Sequence, residues 1–534
     1  MVKKTSKFIS LALMASTAVF VALAQPALAE NAGFRLAVAE AAAVDDDLAA
    51  FYRDRNFASV WTGSDQVAQD RRNALLGAFA NAGLHGLPVS HFDPSALIAR
   101  LQAAQTSYDQ GAMEVELSRL FLEYARDVQT GILDNPRAID EGIRRVIPLR
   151  DRRQTLENFL TSEPVDYLRQ LAPQTPEYAR LMGAKLRLEE VIASGGWGGT
   201  VQAEKLTIGD QGPAVIDLRN RLIAMGYLPR TVTASFDASI EAAVKVFQAE
   251  HGLLQDGVAG QGTLAEINTS PEMRLRSVIV AMERERWLNK ERGARHIWVN
   301  LADFTAKILD DDIVTFETRS VIGANSSDRR SPEFSDVMEY MVINPSWYVP
   351  RSIVVNEYLP ELQADPTSNG QLQIIAQNGA VVGRDTDFTQ FTASTFPFGM
   401  KQAPGPGNAL GSVKFMFPNA YNIYLHDTPS QNLFAREVRA FSHGCIRLDD
   451  PHDFAYALLA RQTSDPVGYF QSILRTGQET QVNLEVPVPV HLDYRTAFTN
   501  VDGSLQYRRD VYGRDAKIWD ALERIGVAAA DVQG

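Results

Sequence analysis

The stretch "RAFSHGCIRLDDP", from Arg439 to Pro451, contains the only cysteine in a chain of 534 residues. A lone buried cysteine usually serves as a small apolar side chain. Here the neighbours are Ser442, His443 and Arg447, which are not typical of a hydrophobic core. The stretch therefore predicts a thiol that carries chemistry.

The first 29 residues have the pattern of a secretory signal peptide. A basic start, "MVKKTSK", precedes the apolar run "FISLALMASTAVFVALA", and small residues end the segment at Ala27–Ala29. We expect cleavage after Ala29, with retention as a membrane anchor as the alternative. No later run approaches the length of a membrane span, so the mature chain is expected to have none.

Export favours a functional role for the cysteine over a structural one. Outside the cytoplasm, a single thiol can form no internal disulfide and is vulnerable to oxidation. The formal net charge of −13 argues against a nucleic-acid partner, because such binders concentrate positive charge. Oligomeric state leaves no mark in the sequence.

Changes in hydrophobic periodicity and composition along the chain predict an α+β multidomain protein. Helical periodicity predicts a scaffold domain over 30–200, which ends in the glycine-rich linker "SGGWGGT". A compact three-helix unit follows over 201–270, and a helical return to the scaffold covers 271–296.

From about residue 297 the sequence is rich in β-branched and aromatic residues, which predicts a mostly-β domain over 297–480. Within it, the polar insertion 351–397 has the length of a lid or binding loop. Residues 481–534 are expected to form a final strand and a C-terminal helix.

The segment 206–268 resembles the three-helix peptidoglycan-binding module. The resemblance is carried by "IGDQGPAVIDLRNRLIAMGYL" and "SFDASIEAAVKVFQAEHGLLQDGVAGQGTLAEIN". Ser235 departs from the glycine usual before Phe236 and Asp237. The resemblance implies contact with wall glycan or stem peptide, with a purely structural role as the alternative.

A thiol attacks carbonyls as a thiolate, so Cys445 needs a base or a positive environment. The sequence offers His443, two residues before the thiol, and His426, nineteen residues before it. Gly444 lets the backbone turn sharply and aim amide N–H groups at an oxyanion. The residues alone leave the choice of base open.

"HD" at 426–427 followed by "SHGCIR" at 442–447 resembles the L,D-transpeptidase (YkuD-type) signature. Arg447 departs from the asparagine of many members. It is similar to the large periplasmic subfamily with a helical scaffold and a peptidoglycan-binding module. "MVINPSWYVP" and "PGPGNALGSVKFMFPN" share that resemblance, which implies a capping insertion over the cleft at 351–397.

The resemblance implies a reaction on peptidoglycan stem peptides in the periplasm. Cys445 would attack the carbonyl of the third residue of a tetrapeptide stem, release D-alanine, and pass the acyl group to an amine of another stem. His426 maps to the general base, and the backbone carbonyl of Asp427 to the group that orients it. The product would be a 3→3 cross-link.

The remaining site residues follow from the same resemblance. His443 and Ser442 map to supporting positions, and the amides of Gly444 and Cys445 to the oxyanion hole. Five residues are expected to contact the substrate. Arg447 and Arg439 would bind either a substrate carboxylate or other parts of the protein. The other three, expected in the substrate cleft, are Tyr424, Trp347 and Asn408. Acylation by carbapenem-type β-lactams is also implied, and no cofactor or metal is.

Three alternatives remain at this point. The same chemistry with water as acceptor gives an L,D-carboxypeptidase, and with a wall-linked protein it gives protein attachment. His426, His443 and Cys445 are acceptable zinc ligands, although no HExxH pair is present. A non-catalytic wall-binding scaffold is the third possibility.

Overall fold

The computed structural model describes residues 32–500 and 502–528, and the predicted signal peptide lies outside them. The α+β multidomain fold class is confirmed: helices fill the first half, and a mostly-β domain follows. Within the described residues, no helix combines the length and the apolar character needed to cross a membrane.

The scaffold consists of helices around one apolar core. Thr106 and Asp109 form a reciprocal cap that starts its longest helix. At the centre of this core, Trp61 stacks on Phe159, and Phe121 packs at a tilt against both rings. The helices cover 32–42, Asp46–Asp54, Gln66–Ala80, Ala82–His85, Pro94–Ala103, Ser107–Thr130, Pro136–Ile139, Arg152–Thr161, Pro164–Gln170 and Pro176–Ala193.

The three-helix unit has a core of its own. Its helices are Pro213–Ala224, Ala238–Glu250 and Gln261–Ile267. Asp237 caps the second helix by accepting from the amides of Ser239 and Ile240.

One helix, Pro271–Trp287, is buried almost all round and is called the central helix below. Its apolar residues belong to the scaffold core. Its last turns carry four charged residues that are each at most 1 % exposed: Glu283, Arg284, Glu285 and Arg286. Charges this deep must be paired. Arg284 pairs with Glu333 and Asp515, and Glu285 with Arg292 and Arg495, so ion pairs join the scaffold to the β domain.

The strands are β1 Arg295–Asn300, β2 Thr305–Asp310, β3 Ile313–Gly323, β4 Phe334–Ile343, β5 Trp347–Tyr348, β6 Leu372–Ile375, β7 Gly399–Gln402, β8 Val413–Met416, β9 Leu425–His426, β10 Ala440–Ser442, β11 Ile446–Leu448, β12 Thr480–Asp493, β13 Ala497–Thr499 and β14 Leu505–Tyr507. Nine of them form one sheet in the order β10-β3-β11-β9-β8-β4-β12-β1-β2, and a β2–β3 pairing closes the sheet on itself.

The strand expected after residue 480 lies inside this sheet, because β12 pairs with both β4 and β1. It is therefore integral to the β domain. Two helices pack against the sheet, Pro451–Leu459 and Pro466–Leu474. The C-terminal helix Arg514–Arg524 packs against the central helix instead, and its Ile518, Trp519 and Leu522 belong to the scaffold core.

The insertion forms a small unit with its own apolar core, called the capping unit below. Its three-stranded sheet, β5-β7-β6, begins at Trp347 and ends at Gln402, outside both limits expected from the sequence. Its helical part runs through Arg351–Ile353, a π-type turn at Val354–Tyr358, and Leu359–Ala364, with a short turn at Phe388–Gln390.

Candidate active site

A cavity of about 1000 Å³, called the cleft below, lies between the closed sheet and the capping unit. Residues of the stretch Arg439–Pro451 line one side, and residues from β5 and the helical part of the capping unit line the other. The cleft is large enough for a peptide segment.

Strand register explains how four of the predicted residues meet in the cleft. The β9 and β11 strands are parallel, with Ile446 opposite Leu425 and Arg447 opposite His426. Alternate residues of a strand share a face. Tyr424, just before β9, and His426 therefore lie beside Cys445, just before β11, and Arg447. All four line the cleft.

The imidazole of His426 is oriented by its neighbour's backbone. Its Nδ1 lies 2.5 Å from the carbonyl oxygen of Asp427, so Nδ1 carries the proton and Nε2 is left as the acceptor. Burial lowers the pKa of His426 to about 3, and the positive charge of Arg447 adds to the effect. The side chain is thus a neutral base at pH 7.

The carboxylate of Asp427 has a separate, structural role. It accepts from the amide and the hydroxyl of Ser412 at 2.8 and 2.7 Å. It also accepts from the amide of Thr428 at 2.6 Å. The orienting group for the histidine is therefore the backbone carbonyl, in the position that the sequence predicted.

The thiol of Cys445 is half-buried at the cleft and lies 3.5 Å from the carbonyl oxygen of Asn422. Burial raises the pKa of this thiol to about 11, although contacts with Tyr424 and the charge of Arg447 oppose the rise. Burial and the adjacent thiol also raise the pKa of the Tyr424 phenol. The resting site holds a neutral thiol and a neutral imidazole.

Gly444 supplies a backbone conformation that a side chain would strain, with φ at +110°. Its N–H donates to the hydroxyl oxygen of Ser442 at 3.1 Å, and that hydroxyl donates to the carbonyl of Cys445 at 2.6 Å. The Gly444 amide is therefore engaged, which corrects its expected place in the oxyanion hole. The amide of Cys445 is the remaining predicted donor.

His443 contacts the capping unit. Its Nε2 lies 2.7 Å from Oε1 of Glu357, and the same oxygen accepts from Arg329 at 2.8 Å. Of the two candidate histidines, His426 is therefore the one whose acceptor nitrogen makes no such contact among the described residues. The predicted supporting role of His443 corresponds here to a tie across the cleft.

The two predicted arginines differ. Arg447 lines the cleft, and its buried Nε has no hydrogen-bond partner among the described residues. Arg439 is outside the cleft and donates to the carbonyls of Ser320, Arg436 and Phe304 at 3.1–3.2 Å. A substrate contact by Arg439 is therefore wrong, whereas its structural alternative fits.

Asn408 is also structural. It is 1 % exposed, its Nδ2 donates to the carbonyls of Pro345 and Ala403, and its Oδ1 accepts from the amide of Leu410. All its polar atoms serve the loop, so the predicted substrate contact is wrong. Trp347 does line the cleft, from β5 of the capping unit.

Sequence reasoning missed Glu357, Arg329 and Asn422. Glu357 lies in the insertion and Arg329 in the loop after β3, both far from the motif in sequence, and no local pattern marks a charged residue there as part of the cleft. Asn422 lies in the turn just before β9 and contacts the thiol through its backbone carbonyl, which its residue type does not indicate. Within the described residues, no cluster of three or more His, Cys, Asp or Glu side chains could hold a metal ion.

Three segments match known families. Residues 294–468 match the L,D-transpeptidase catalytic domain family, YkuD, and residues 46–184 match a scaffold domain. Residues 211–267 match a family described as "Putative peptidoglycan binding domain". The resemblance expected from the "SHGCIR" motif is confirmed, because residues 294–468 match the L,D-transpeptidase catalytic domain.

A curated relative from Haemophilus influenzae bears the name "Putative L,D-transpeptidase". It is 30% identical over 236 residues, which are 43% of this chain and 47% of the relative. The matched part thus spans about half of that protein.

Among solved structures, the chain is similar to L,D-transpeptidases from Xylanimonas cellulosilytica and Stackebrandtia nassauensis, at 12% and 14% identity. The matches cover 55% and 56% of this chain and 98% of each structure, with TM-scores of 0.17 and 0.22. Overlaps this poor add nothing to the fold assignment.

Proposed function

We propose that the protein is a peptidoglycan L,D-transpeptidase with Cys445 as nucleophile and His426 as general base. The observation that carries the proposal is the β9–β11 register, which puts the thiol and a correctly oriented imidazole on one face of one cleft. The match of residues 294–468 to the L,D-transpeptidase catalytic domain supports it.

The acylation step begins with both groups neutral. Nε2 of His426 takes the thiol proton as Sγ of Cys445 attacks the carbonyl carbon of the third stem residue. The oxyanion that forms is stabilised by the amide N–H of Cys445. Collapse breaks the peptide bond, and the departing D-alanine amine takes the proton from His426, leaving a thioester.

The transfer step repeats this chemistry in reverse. A side-chain amine of a second stem attacks the thioester carbonyl, and His426 accepts the proton that the amine loses. The carbon–sulfur bond breaks, the proton returns to sulfur, and a 3→3 cross-link remains. The capping unit keeps water from the thioester, because hydrolysis competes with the amine.

Substrate recognition is assigned to side chains that line the cleft and are available to contact a bound peptide. The guanidinium of Arg447 binds a substrate carboxylate, since its buried Nε lacks a partner among the described residues. Trp347 and Tyr424 provide apolar walls for the stem.

The rest of the chain fits action outside the cytoplasm. The signal-like first 29 residues would direct export to the periplasm. The unit matched over 211–267 would contact the wall polymer and help the enzyme to act in cell-wall biogenesis and cell shape.

Incubation of tetrapeptide muropeptides with the protein, followed by mass spectrometry, tests the proposal. Wild type is expected to release D-alanine and form cross-linked dimers, and Cys445→Ala is expected to form neither. Tripeptides without dimers would point to an L,D-carboxypeptidase. Equal wall cross-linking in cells by wild type and Cys445→Ala would point to a non-catalytic scaffold.

Carbapenem acylation gives an independent reading of the same thiol. A covalent adduct on Cys445 is expected as a mass increase that is absent in Cys445→Ala, because the strained amide resembles the attacked carbonyl. Active protein that forms no adduct would refute this part of the proposal.

A further inference from the structure

Ser331 is fully buried in the loop between β3 and β4, more than a hundred residues before the nucleophile. Its hydroxyl donates to the carbonyl oxygen of Gly444 at 2.6 Å and accepts from the amide of Gly323 at 2.9 Å. The hydroxyl therefore ties the end of β3 to the backbone immediately before Cys445.

That carbonyl belongs to the peptide bond between Gly444 and Cys445. The peptide is planar and trans, so its C=O and N–H point in opposite directions. A contact that holds the C=O on the buried side therefore directs the Cys445 N–H to the other side. This N–H is the predicted oxyanion donor left after Ser442 engages the Gly444 amide.

The conformation of Gly444 explains why the peptide that follows it needs the hydrogen bond from Ser331. Glycine at φ +110° has few steric limits, and alternative orientations of the following peptide cost it little. The segment from Arg329 to Ser331 packs against Gly444, because a Cβ added there would lie 3.7 Å from the Arg329 carbonyl oxygen. Without the Ser331 hydroxyl, the peptide has lost its polar anchor.

Ser331 is itself held by the C-terminal segment. Its amide donates to the hydroxyl of Tyr512 at 3.2 Å, and its carbonyl accepts from Arg514 at 2.9 Å. Arg514 also bonds Glu333, which pairs with Arg284 of the central helix. Tyr512 and Arg514 lie beyond residues 294–468, the part matched by the catalytic family.

We propose that Ser331 is a positioning residue for the nucleophile: its hydroxyl fixes the Gly444–Cys445 peptide so that the Cys445 amide faces the developing oxyanion, and Tyr512 and Arg514 hold Ser331 in place. The inference rests on the proposed function. It adds a dependence of catalysis on the C-terminal segment.

The test compares two reactions of the same thiol in the full chain. Acylation by a stem tetrapeptide passes through an oxyanion, whereas alkylation by iodoacetamide is a displacement that forms none. In Ser331→Ala, we expect the single-turnover acylation rate to fall about 10- to 100-fold, with KM and the alkylation rate near wild type.

Ser320→Ala is the matched control. Ser320 is also fully buried, near the end of β3, and its hydroxyl has no hydrogen-bond partner among the described residues. The Ser320→Ala variant loses a hydroxyl oxygen, as Ser331→Ala does, but loses no hydrogen bond. Its acylation and alkylation rates should therefore match those of wild type.

Three results separate the possibilities. Equal acylation in Ser331→Ala and wild type, or a parallel loss of acylation and alkylation, would overturn the inference. Absence of acylation in wild type would instead overturn the proposed function. If Ser331→Ala does not fold, Tyr512→Phe takes its place, and a selective several-fold loss of acylation is expected, with an unchanged acylation rate counting against the inference.

Discussion

The Nε2 atom of His443 lies 2.7 Å from Oε1 of Glu357, so the loop that carries Cys445 is bonded directly to the capping unit. Arg329, on the loop after β3, bonds the same carboxylate oxygen at 2.8 Å. The Glu357 side chain of the capping unit thus binds both the loop that carries His443 and the loop that carries Arg329, which form the opposite rim of the cleft. We therefore expect closure over the proposed thioester to depend on that carboxylate.

Glu357→Gln is therefore expected to loosen the capping unit without removing it. Water then reaches the thioester more often, so the ratio of tripeptide to cross-linked dimer should rise several-fold. Deletion within 351–397 should move the ratio further in the same direction. Quantitative muropeptide analysis measures the ratio.

Glu361→Gln is the matched control for this change. Glu361 belongs to the same helical part, but its carboxylate accepts from Asn369 within the capping unit. It makes the same chemical change without touching the rim, and it should leave the product ratio as in wild type. An unchanged ratio in Glu357→Gln as well would show that the tie does not govern closure.

The neutral resting pair predicts an unusual pH profile for thiol reactivity. Burial raises the pKa of Cys445 to about 11 and lowers that of His426 to about 3, so no thiolate–imidazolium pair forms in the free enzyme. Below the raised pKa, the thiolate fraction grows about tenfold per pH unit. The alkylation rate by iodoacetamide should therefore keep rising from pH 6 to pH 10.

Mass spectrometry of the alkylated protein at each pH gives the rate, with Cys445→Ala as the blank. A rate that is already constant between pH 5 and pH 9 would mean that a preformed ion pair exists. Such a plateau would contradict the assignment of His426 as a base that acts only during attack.

The proposed pair of Cys445 and His426 could be singled out from sequence because its residues concentrate in short motifs. A lone thiol, a glycine before it and two nearby histidines lie within twenty residues. The division into helical and mostly-β parts was predictable from periodicity for the same reason, since it is a local signal.

The residues that sequence reasoning assigned wrongly depend on tertiary packing. Arg439 and Asn408 lie in plausible stretches, yet both are used to bind backbone carbonyls. Glu357 and Ser331 contact His443 and Gly444 only because the chain folds back on itself, at separations of 86 and 113 residues. No spacing rule encodes contacts of that range.

Substitution of Arg447 and of Arg439 should distinguish an arginine that binds substrate from one that stabilises the fold. Arg447→Met removes a cleft cation, and the loss of a charge-assisted hydrogen bond to a substrate carboxylate is expected to raise KM about 10- to 100-fold. Arg439→Met removes bonds to backbone carbonyls, so it should lower thermal stability and leave KM near wild type. Steady-state kinetics with a tetrapeptide, together with thermal unfolding, provide both readings.

An unchanged KM in Arg447→Met would remove the carboxylate from the proposed recognition of substrate. A raised KM in Arg439→Met, with stability retained, would restore Arg439 to the cleft and contradict the contacts described here. The two variants carry the same substitution, so the loss of charge alone does not distinguish them.

The central helix predicts a large stability cost at a site remote from the thiol. Burial disfavours a charged Arg284, but the carboxylates of Glu333 and Asp515 outweigh this and raise its pKa. Arg284→Met leaves both carboxylates buried without this partner, which should cost about 3–5 kcal/mol of unfolding free energy. Lys245→Met, which breaks an exposed pair with Glu241 on one helix, should cost about 0.5 kcal/mol or less. Urea unfolding followed by tryptophan fluorescence measures both. Similar midpoints for the two variants would mean that the buried ion pairs do not join the scaffold to the β domain energetically.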